Sequence, residues 1–194
     1  MKQRELILRM DNKELRRQLT LSQIIFILIS LVLSFALFES FIAQWLHLFQ
    51  WKIKEILFYG VLPGLVIVSI DLILTYLLPA KYYDDGGINE KIFAEQPIWF
   101  ILVFSLLVAV SEELLFRGVL QTSFGFWFAS LLFAFVHFRY LKKPVLLISV
   151  LFVSFYLGYL FYLTENLVVT IVAHFIVDCL LGFFIRFKRE VWTR

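Results

Sequence analysis

Apolar residues occupy long unbroken runs of this chain, and the runs do not alternate between apolar and polar positions. A helix needs about 20 apolar residues, at ~1.5 Å per residue, to cross the ~30 Å hydrocarbon core of a membrane. Transmembrane β-strands would alternate instead. The pattern therefore predicts an all-α, polytopic integral membrane bundle of about six transmembrane helices, at residues 21–49, 53–78, 97–122, 126–140, 145–163 and 167–187.

Polar residues, glycine and proline separate these runs. Residues 50–52 predict a polar turn, and residues 83–87 are too polar and too rich in glycine to stay in lipid. Residues 142–144 end one helix and start the next, because proline fits the first turn of a helix. Tighter turns are predicted at residues 123–125 and 164–166.

Composition supports the membrane class. The 194 residues are 61% hydrophobic and 17% charged, whereas a soluble domain is about half apolar and about a quarter charged. The single cysteine excludes an intrachain disulfide. The net charge of +3 comes from basic residues that flank the apolar runs, which indicates orientation in a membrane and not nucleic-acid binding.

The distribution of basic residues predicts which way the chain crosses the membrane. Of the 18 Lys and Arg residues, Lys52, Lys54 and Arg117 fall on one side of the six-span arrangement and the other fifteen on the opposite side. Basic residues concentrate on the cytoplasmic side. We therefore expect both termini in the cytoplasm, with the first run retained as a span because no small-residue cleavage site follows it.

Ionisable side chains within the predicted spans are the candidate functional groups. Each costs about 2.5–3.5 kcal/mol on insertion, so such groups usually face the bundle interior and mark a function. They are Glu39, His47, Asp71, Glu112, Glu113, Arg117, His137, His174 and Asp178. We expect the first three to have structural or lining roles, with Asp71 bonding across to another helix.

Two adjacent glutamates and an arginine lie together in the third span. Glu113 and Arg117 are four residues apart, so they meet on one helix face. Either they form an ion pair that fixes the helix, or they contact a substrate. Glu112 lies about 100° round the helix and lacks that partner, which makes it a candidate general base.

Distances along the helices predict which of these groups converge. Glu112 and His137 lie about 18–20 Å from the turn at residues 123–125, on either side of it. His174 lies about 13 Å beyond the next turn, and Asp178 is one helical turn further. We expect all four in one polar pocket that opens towards the cytoplasm.

Two chemistries fit such a cluster. In the first, Glu112 and His137 deprotonate a water, while His174 and Asp178 stabilise the oxyanion that forms. In the second, Glu112, His137 and His174 hold a divalent ion, zinc by preference, whose bound water is the nucleophile. The residues alone leave both open.

The polar residues also form three motifs of a known family. Residues 112–117, EELLFR, resemble the E-E-x-x-x-R motif of the CAAX protease and bacteriocin-processing (CPBP or Abi) family. The stretch from Phe133 to His137 is similar to its F-x-x-x-H motif, and that from His174 to Asp178 to its H-x-x-x-N/D motif. The resemblance covers about residues 97–187. It implies a catalytic membrane core there, after an N-terminal part (1–96) with two spans and before a basic tail (188–194).

The resemblance implies an all-helical intramembrane endopeptidase of a bacterial plasma membrane. Its catalytic residues would be Glu112, His137, His174 and Asp178, supported by Glu113, Arg117 and Phe133. The family has been described both as metalloproteases and as metal-free glutamate proteases, so the cofactor is either a divalent metal or none. Asp178 stands where eukaryotic members carry asparagine, which leaves its role between metal ligand and orienter of His174.

The resemblance implies a substrate that is a membrane-inserted or membrane-proximal peptide, processed in peptide maturation, bacteriocin-related processing or self-immunity. Two other functions use the same features. The chain would act without catalysis as a membrane immunity or scaffold protein, or it would conduct ions or protons through its intramembrane carboxylates.

Overall fold

A computed structural model describes residues 3–140 and 143–192. Its helices are α1 (Gln3–Arg9), α2 (Asn12–Leu37), α3 (Phe41–Leu48), α4 (Ile53–Leu77), α5 (Ile88–Phe93), α6 (Ile98–Phe124), α7 (Phe126–Val136), α8 (Pro144–Thr164) and α9 (Leu167–Trp192). Short 3₁₀ turns occur at Ala80–Tyr82 and Phe138–Tyr140. The described residues contain no β-strand. Lys142, in the predicted turn before α8, lies outside them.

The predicted helical membrane bundle is confirmed, because α2, α4, α6, α8 and α9 are each long and apolar enough to cross a membrane. The predicted fourth span is wrong in extent. Helix α7 has 11 residues, about 16 Å at ~1.5 Å per residue, which is about half of a ~30 Å core.

A side chain ends α7 early. The His137 ring donates from Nδ1 to the Phe133 carbonyl at 2.8 Å, the acceptor that the His137 backbone N–H would use in a continuing α-helix. That N–H bonds instead to the Ala134 carbonyl, and a 3₁₀ turn follows. Hydropathy does not depend on which donor the Phe133 carbonyl accepts from, so the sequence predicts one continuous helix over residues 126–140.

The predicted first span, residues 21–49, is two helices. Helix α2 begins at Asn12, where the Asp11 side chain accepts from the Glu14 N–H at 2.8 Å, and ends at Leu37. Ser40 then precedes the separate helix α3 in an extended conformation. Glu39 therefore lies in the connection and His47 on α3, so neither is on the long span as predicted.

Helix α9 lies at the centre and packs against α4, α6 and α8, while α2 packs against α6. Two glycines let α4 approach α9 closely. A Cβ at Gly60 would lie 3.1 Å from the Val169 carbonyl oxygen, and one at Gly64 would lie 3.0 Å from that of Ala173. Small residues four apart are a common way for membrane helices to bring their backbones together.

Asn166 joins two turns at the end of the bundle that lies opposite the two chain termini. Its Nδ2 donates to the Gln50 carbonyl at 2.8 Å, and its Oδ1 accepts from the Gln50 N–H at 3.3 Å. The predicted turns at 50–52 and 164–166 are confirmed here. They fix the connection before α4 against the start of α9, which carries two of the candidate site residues.

Candidate active site

The site begins where α6 changes from α-helical to π-helical geometry, at Leu114–Gln121. π-helical segments are rare and often lie at functional sites. Arg117 lies inside this segment and is fully buried. Its Nη2 donates to the Ser154 carbonyl of α8 at 3.0 Å, and its guanidinium lies 4.8 Å from the centre of the Phe133 ring. Arg117 thus joins α6, α7 and α8.

Glu113 lies directly before the π segment and bridges two groups. Its Oε2 is 3.5 Å from Arg117 Nε, which confirms the predicted ion pair. Its Oε1 accepts from His174 Nδ1 at 2.9 Å, a contact that the sequence did not predict. Residue spacing could not predict this contact, because Glu112 and Glu113 lie at nearly the same depth and the rotation of α6 about its axis decides which of them faces His174 Nδ1.

His174 on α9 is surrounded by carboxylates. Its Nε2 lies 3.9 Å from Glu112 Oε2 and 3.6 Å from Asp178 Oδ2, one turn along the same helix. Glu112 and His174 are buried, and Asp178 is partly exposed. The three side chains converge as their depths along the helices predict.

His137 lies just beyond the end of α7 and reaches the same cavity. Its ring stacks on Phe133 with centroids 4.9 Å apart, and the Phe133 ring lies 6.0 Å from that of His174. Because Nδ1 is held by the Phe133 carbonyl, Nε2 is the nitrogen that can act on a ligand. Within the described residues no ion pair joins His137 to Glu112, and both side chains line the same cavity.

The cavity has a volume of about 1040 Å³ and lies towards the bundle end at which α2 begins and α9 ends. Glu112, His137, His174 and Asp178 all line it. Gln23 of α2 lines it as well, and Gln23 Oε1 accepts from the Ser111 hydroxyl at 2.6 Å. Sequence reasoning missed Gln23, because a single amide in an apolar run carries no spacing signal.

The zinc alternative requires Glu112, His137 and His174 to converge on one ion. Among the residues that the structure describes, no group of three or more His, Cys, Asp and Glu side chains is placed to hold a metal ion. As placed, Glu112, His137 and His174 do not converge on one ion and therefore do not fit a zinc site.

The other intramembrane charges lie away from this cluster. Asp71 on α4 accepts from the Ser149 hydroxyl of α8 at 3.0 Å, so its predicted bond to another helix is confirmed. His47 Nε2 lies 3.4 Å from Glu165 Oε2 at the opposite end of the bundle, and both side chains are exposed.

The fold and the cavity define a multi-pass membrane protein with ionisable side chains buried among its spanning helices. Residues 94–180 match the family described as type II CAAX prenyl endopeptidase Rce1-like. The chain is 46% identical over 140 residues to the uncharacterized protein YpbD of Bacillus subtilis (strain 168). The aligned stretch covers 71% of this chain and 74% of that protein. No solved structure matches the chain.

The chain belongs to the Rce1-like family, which is the CPBP or Abi family that its motifs resemble. This is a family of proteases. The matched residues contain all three motifs, from Glu112 to Asp178, and exclude α2, α4 and therefore Asp71.

Proposed function

We propose that this protein is an intramembrane endopeptidase that hydrolyses a peptide bond of a membrane-associated substrate without a metal ion. The observation that carries the proposal is the placement of Glu112 and Asp178 within 4 Å of His174 on the wall of one cavity. A carboxylate that can take and return a proton, beside an imidazole that a second carboxylate orients, supplies the groups that hydrolysis by an activated water requires.

In the proposed first step, Glu112 takes a proton from a water in the cavity, and Nε2 of His137 holds that water. The resulting hydroxide forms a C–O bond with the scissile carbonyl carbon. Burial supports this role, because a carboxylate shielded from bulk water is a more effective base than a solvated one.

His174 stabilises the tetrahedral oxyanion. Its Nδ1–H donates to Glu113, so it donates from Nε2 only as an imidazolium. The carboxylates of Glu112, Glu113 and Asp178 around the ring favour that charged form. A positive donor at the developing negative charge is the larger part of the stabilisation in many such reactions.

The intermediate collapses when Glu112 returns its proton to the nitrogen of the scissile bond. The C–N bond then breaks and releases an amine and a carboxylic acid. Asp178 accepts hydrogen bonds and does not donate them while ionised, so we assign it to orienting His174. The side chains that position the His174 and His137 rings are Glu113, Arg117 and Phe133.

The substrate is a membrane-inserted or membrane-proximal peptide, because the cavity lies among the spanning helices. With both termini in the cytoplasm of a bacterial cell, the cavity opens on the cytoplasmic side. Peptide maturation, bacteriocin-related processing and self-immunity are functions that suit such an enzyme. Residues 97–187 form its catalytic core.

A comparison of Glu112→Gln with native protein tests the proposal. Both proteins are purified in detergent and incubated with a library of single-span peptides, and new peptide termini are identified by mass spectrometry. We expect native protein to cleave a subset of the library and the variant to be about 10²–10⁴-fold slower. Glu165→Gln, at the opposite end of the bundle, is the matched control and should cleave normally.

Native protein that cleaves no peptide would contradict the proposal. So would cleavage that Glu112→Gln leaves unchanged. A cellular phenotype that survives Glu112→Gln would instead support the non-catalytic immunity or scaffold function.

A further inference from the structure

Asp71 is an intramembrane carboxylate that the proposed reaction does not use. It lies on α4, outside the family match, and lines the same cavity as Glu112 and His174. Its Oδ1 accepts from the Ser149 hydroxyl at 3.0 Å. Within the part of the chain that the structure describes, Oδ2 accepts no hydrogen bond, and no Lys, Arg or His lies at ion-pair distance from Asp71.

A carboxylate in a spanning helix without a countercharge is costly, and such groups commonly serve substrate or ion pathways. A hydrogen bond to Ser149 alone would be served equally well by asparagine or serine, which carry no charge. The contact with Ser149 therefore does not explain why residue 71 is one that can carry a charge. Because Asp71 lies on the cavity wall, its carboxylate can contact a molecule that occupies the cavity.

The cavity as a whole is acidic although the chain is basic. Its described lining contains six carboxylates, at Asp71, Asp84, Asp85, Glu90, Glu112 and Asp178, against Arg139, Lys188 and the imidazolium that the proposed reaction assigns to His174. The chain carries a net charge of +3. Arg139 also donates to the Asn89 amide oxygen at 3.0 Å. A cavity of one sign concentrates ligands of the opposite sign.

Two of the other carboxylates accept hydrogen bonds from backbone N–H groups and so have a structural role. Asp84 Oδ1 accepts from the Gly86 N–H at 2.7 Å, and Asp85 accepts from the N–H groups of Ile88 and Asn89 at the start of α5. The carboxylates of the lining that neither cap a turn nor contact the reactive cluster are Asp71 and Glu90. Glu90 is exposed on the short helix α5, whereas Asp71 lies in the spanning helix α4.

We propose that Asp71, held by Ser149, is a specificity subsite that binds a lysine or arginine side chain of the substrate peptide. The inference rests on the proposed endopeptidase function and names its substrate class. A bound ammonium or guanidinium group supplies the missing countercharge through a charge-assisted hydrogen bond. Membrane peptides carry such residues next to their spans on the cytoplasmic side, which is where the cavity opens in the proposed orientation.

The test uses fluorescein-labelled peptides with one Leu/Ala span and a short polar flank. One flank position at a time carries lysine, norleucine or glutamate, and norleucine keeps the alkyl stem of lysine without its charge. Binding to purified protein is measured by fluorescence anisotropy, and cleavage of the same peptides is measured separately by mass spectrometry.

At one flank position we expect native protein to bind the lysine peptide about 10- to 100-fold more tightly than the norleucine peptide, the range of a hydrogen bond between charged groups. Asp71→Asn keeps an acceptor for Ser149 and should remove this preference, while norleucine binding stays unchanged. Ser149→Ala keeps the charge and should retain most of the preference. Glu90→Gln, which removes another carboxylate of the lining, should retain it too.

The binding and cleavage readouts separate this inference from the proposed function. Cleavage with no lysine preference at any flank position overturns the subsite and leaves the endopeptidase intact. A lysine preference that depends on Asp71, without any cleavage, supports the subsite and overturns the endopeptidase. A preference that persists in Asp71→Asn overturns the subsite, as does equal loss of lysine and norleucine binding, because that result assigns Asp71 to helix packing alone.

Discussion

Replacing Glu113 by glutamine removes the negative charge between Arg117 and His174 but keeps an oxygen that accepts the His174 Nδ1–H hydrogen bond. Both Glu113 and Arg117 are fully buried and 3.5 Å apart. Removing one partner of a buried ion pair costs about 3–5 kcal/mol, because the other charge remains unpaired. Glu113→Gln should therefore unfold at a clearly lower temperature than native protein in the same detergent.

The same change should also slow cleavage. In Glu113→Gln the glutamine oxygen still accepts from the His174 imidazolium, but the opposite charge is lost, and this loss is part of the about 1.5–3 kcal/mol that a hydrogen bond to a charged group contributes. The His174 imidazolium therefore loses about 1–2 kcal/mol of support, which corresponds to about a 5- to 30-fold lower rate. Turnover of a cleaved peptide, measured below the unfolding temperature, gives this ratio directly.

The double variant Glu113→Gln/Arg117→Met separates the two effects. It removes the unpaired guanidinium as well, so it should recover much of the stability that Glu113→Gln loses. Its cleavage should stay slow, because His174 still lacks its carboxylate. Recovery of the rate together with the stability would refute this reasoning and show that Glu113 acts only by neutralising Arg117.

Two further predictions concern the metal and the helix packing. Cleavage should persist after treatment with EDTA and 1,10-phenanthroline, and the purified protein should contain no stoichiometric zinc; loss of activity that zinc restores would contradict the metal-free mechanism. Gly64→Leu should lower the unfolding temperature, because its side chain would press on Ala173 and Ile176 of α9. Leu65→Ala, on the exposed face of α4, is its control, and equal effects of the two changes would refute the close α4–α9 contact.

Most of the bundle was predictable because lipid leaves the backbone few choices. Every buried N–H and C=O in a membrane needs an internal partner, so a long apolar run is a helix. This is why α4, α8 and α9 were placed within a few residues of their actual starts. One error falls where a polar side chain ends a helix, at His137 after α7. The other falls where the backbone becomes extended at Phe38 and Ser40, between α2 and α3.

The sequence predicted how deep in the bundle each candidate site residue lies, but not how its helix is rotated about its own axis. A fixed rise per residue places Glu112, His174 and Asp178 at similar levels, and the structure brings them together. Which glutamate faces Nδ1 of His174 depends on how α6 is turned relative to α9. No residue count contains that angle, and so the Glu113–His174 contact was missed.

The early end of α7 has a consequence for hydration. A spanning helix needs about 20 residues, and α7 supplies 11, so roughly 14 Å of helix is missing at ~1.5 Å per residue. The space below that end is part of the cavity lined by His137 and Tyr140. We therefore expect water that enters this cavity to reach Glu112 and His137 beside the end of α7 without crossing hydrocarbon.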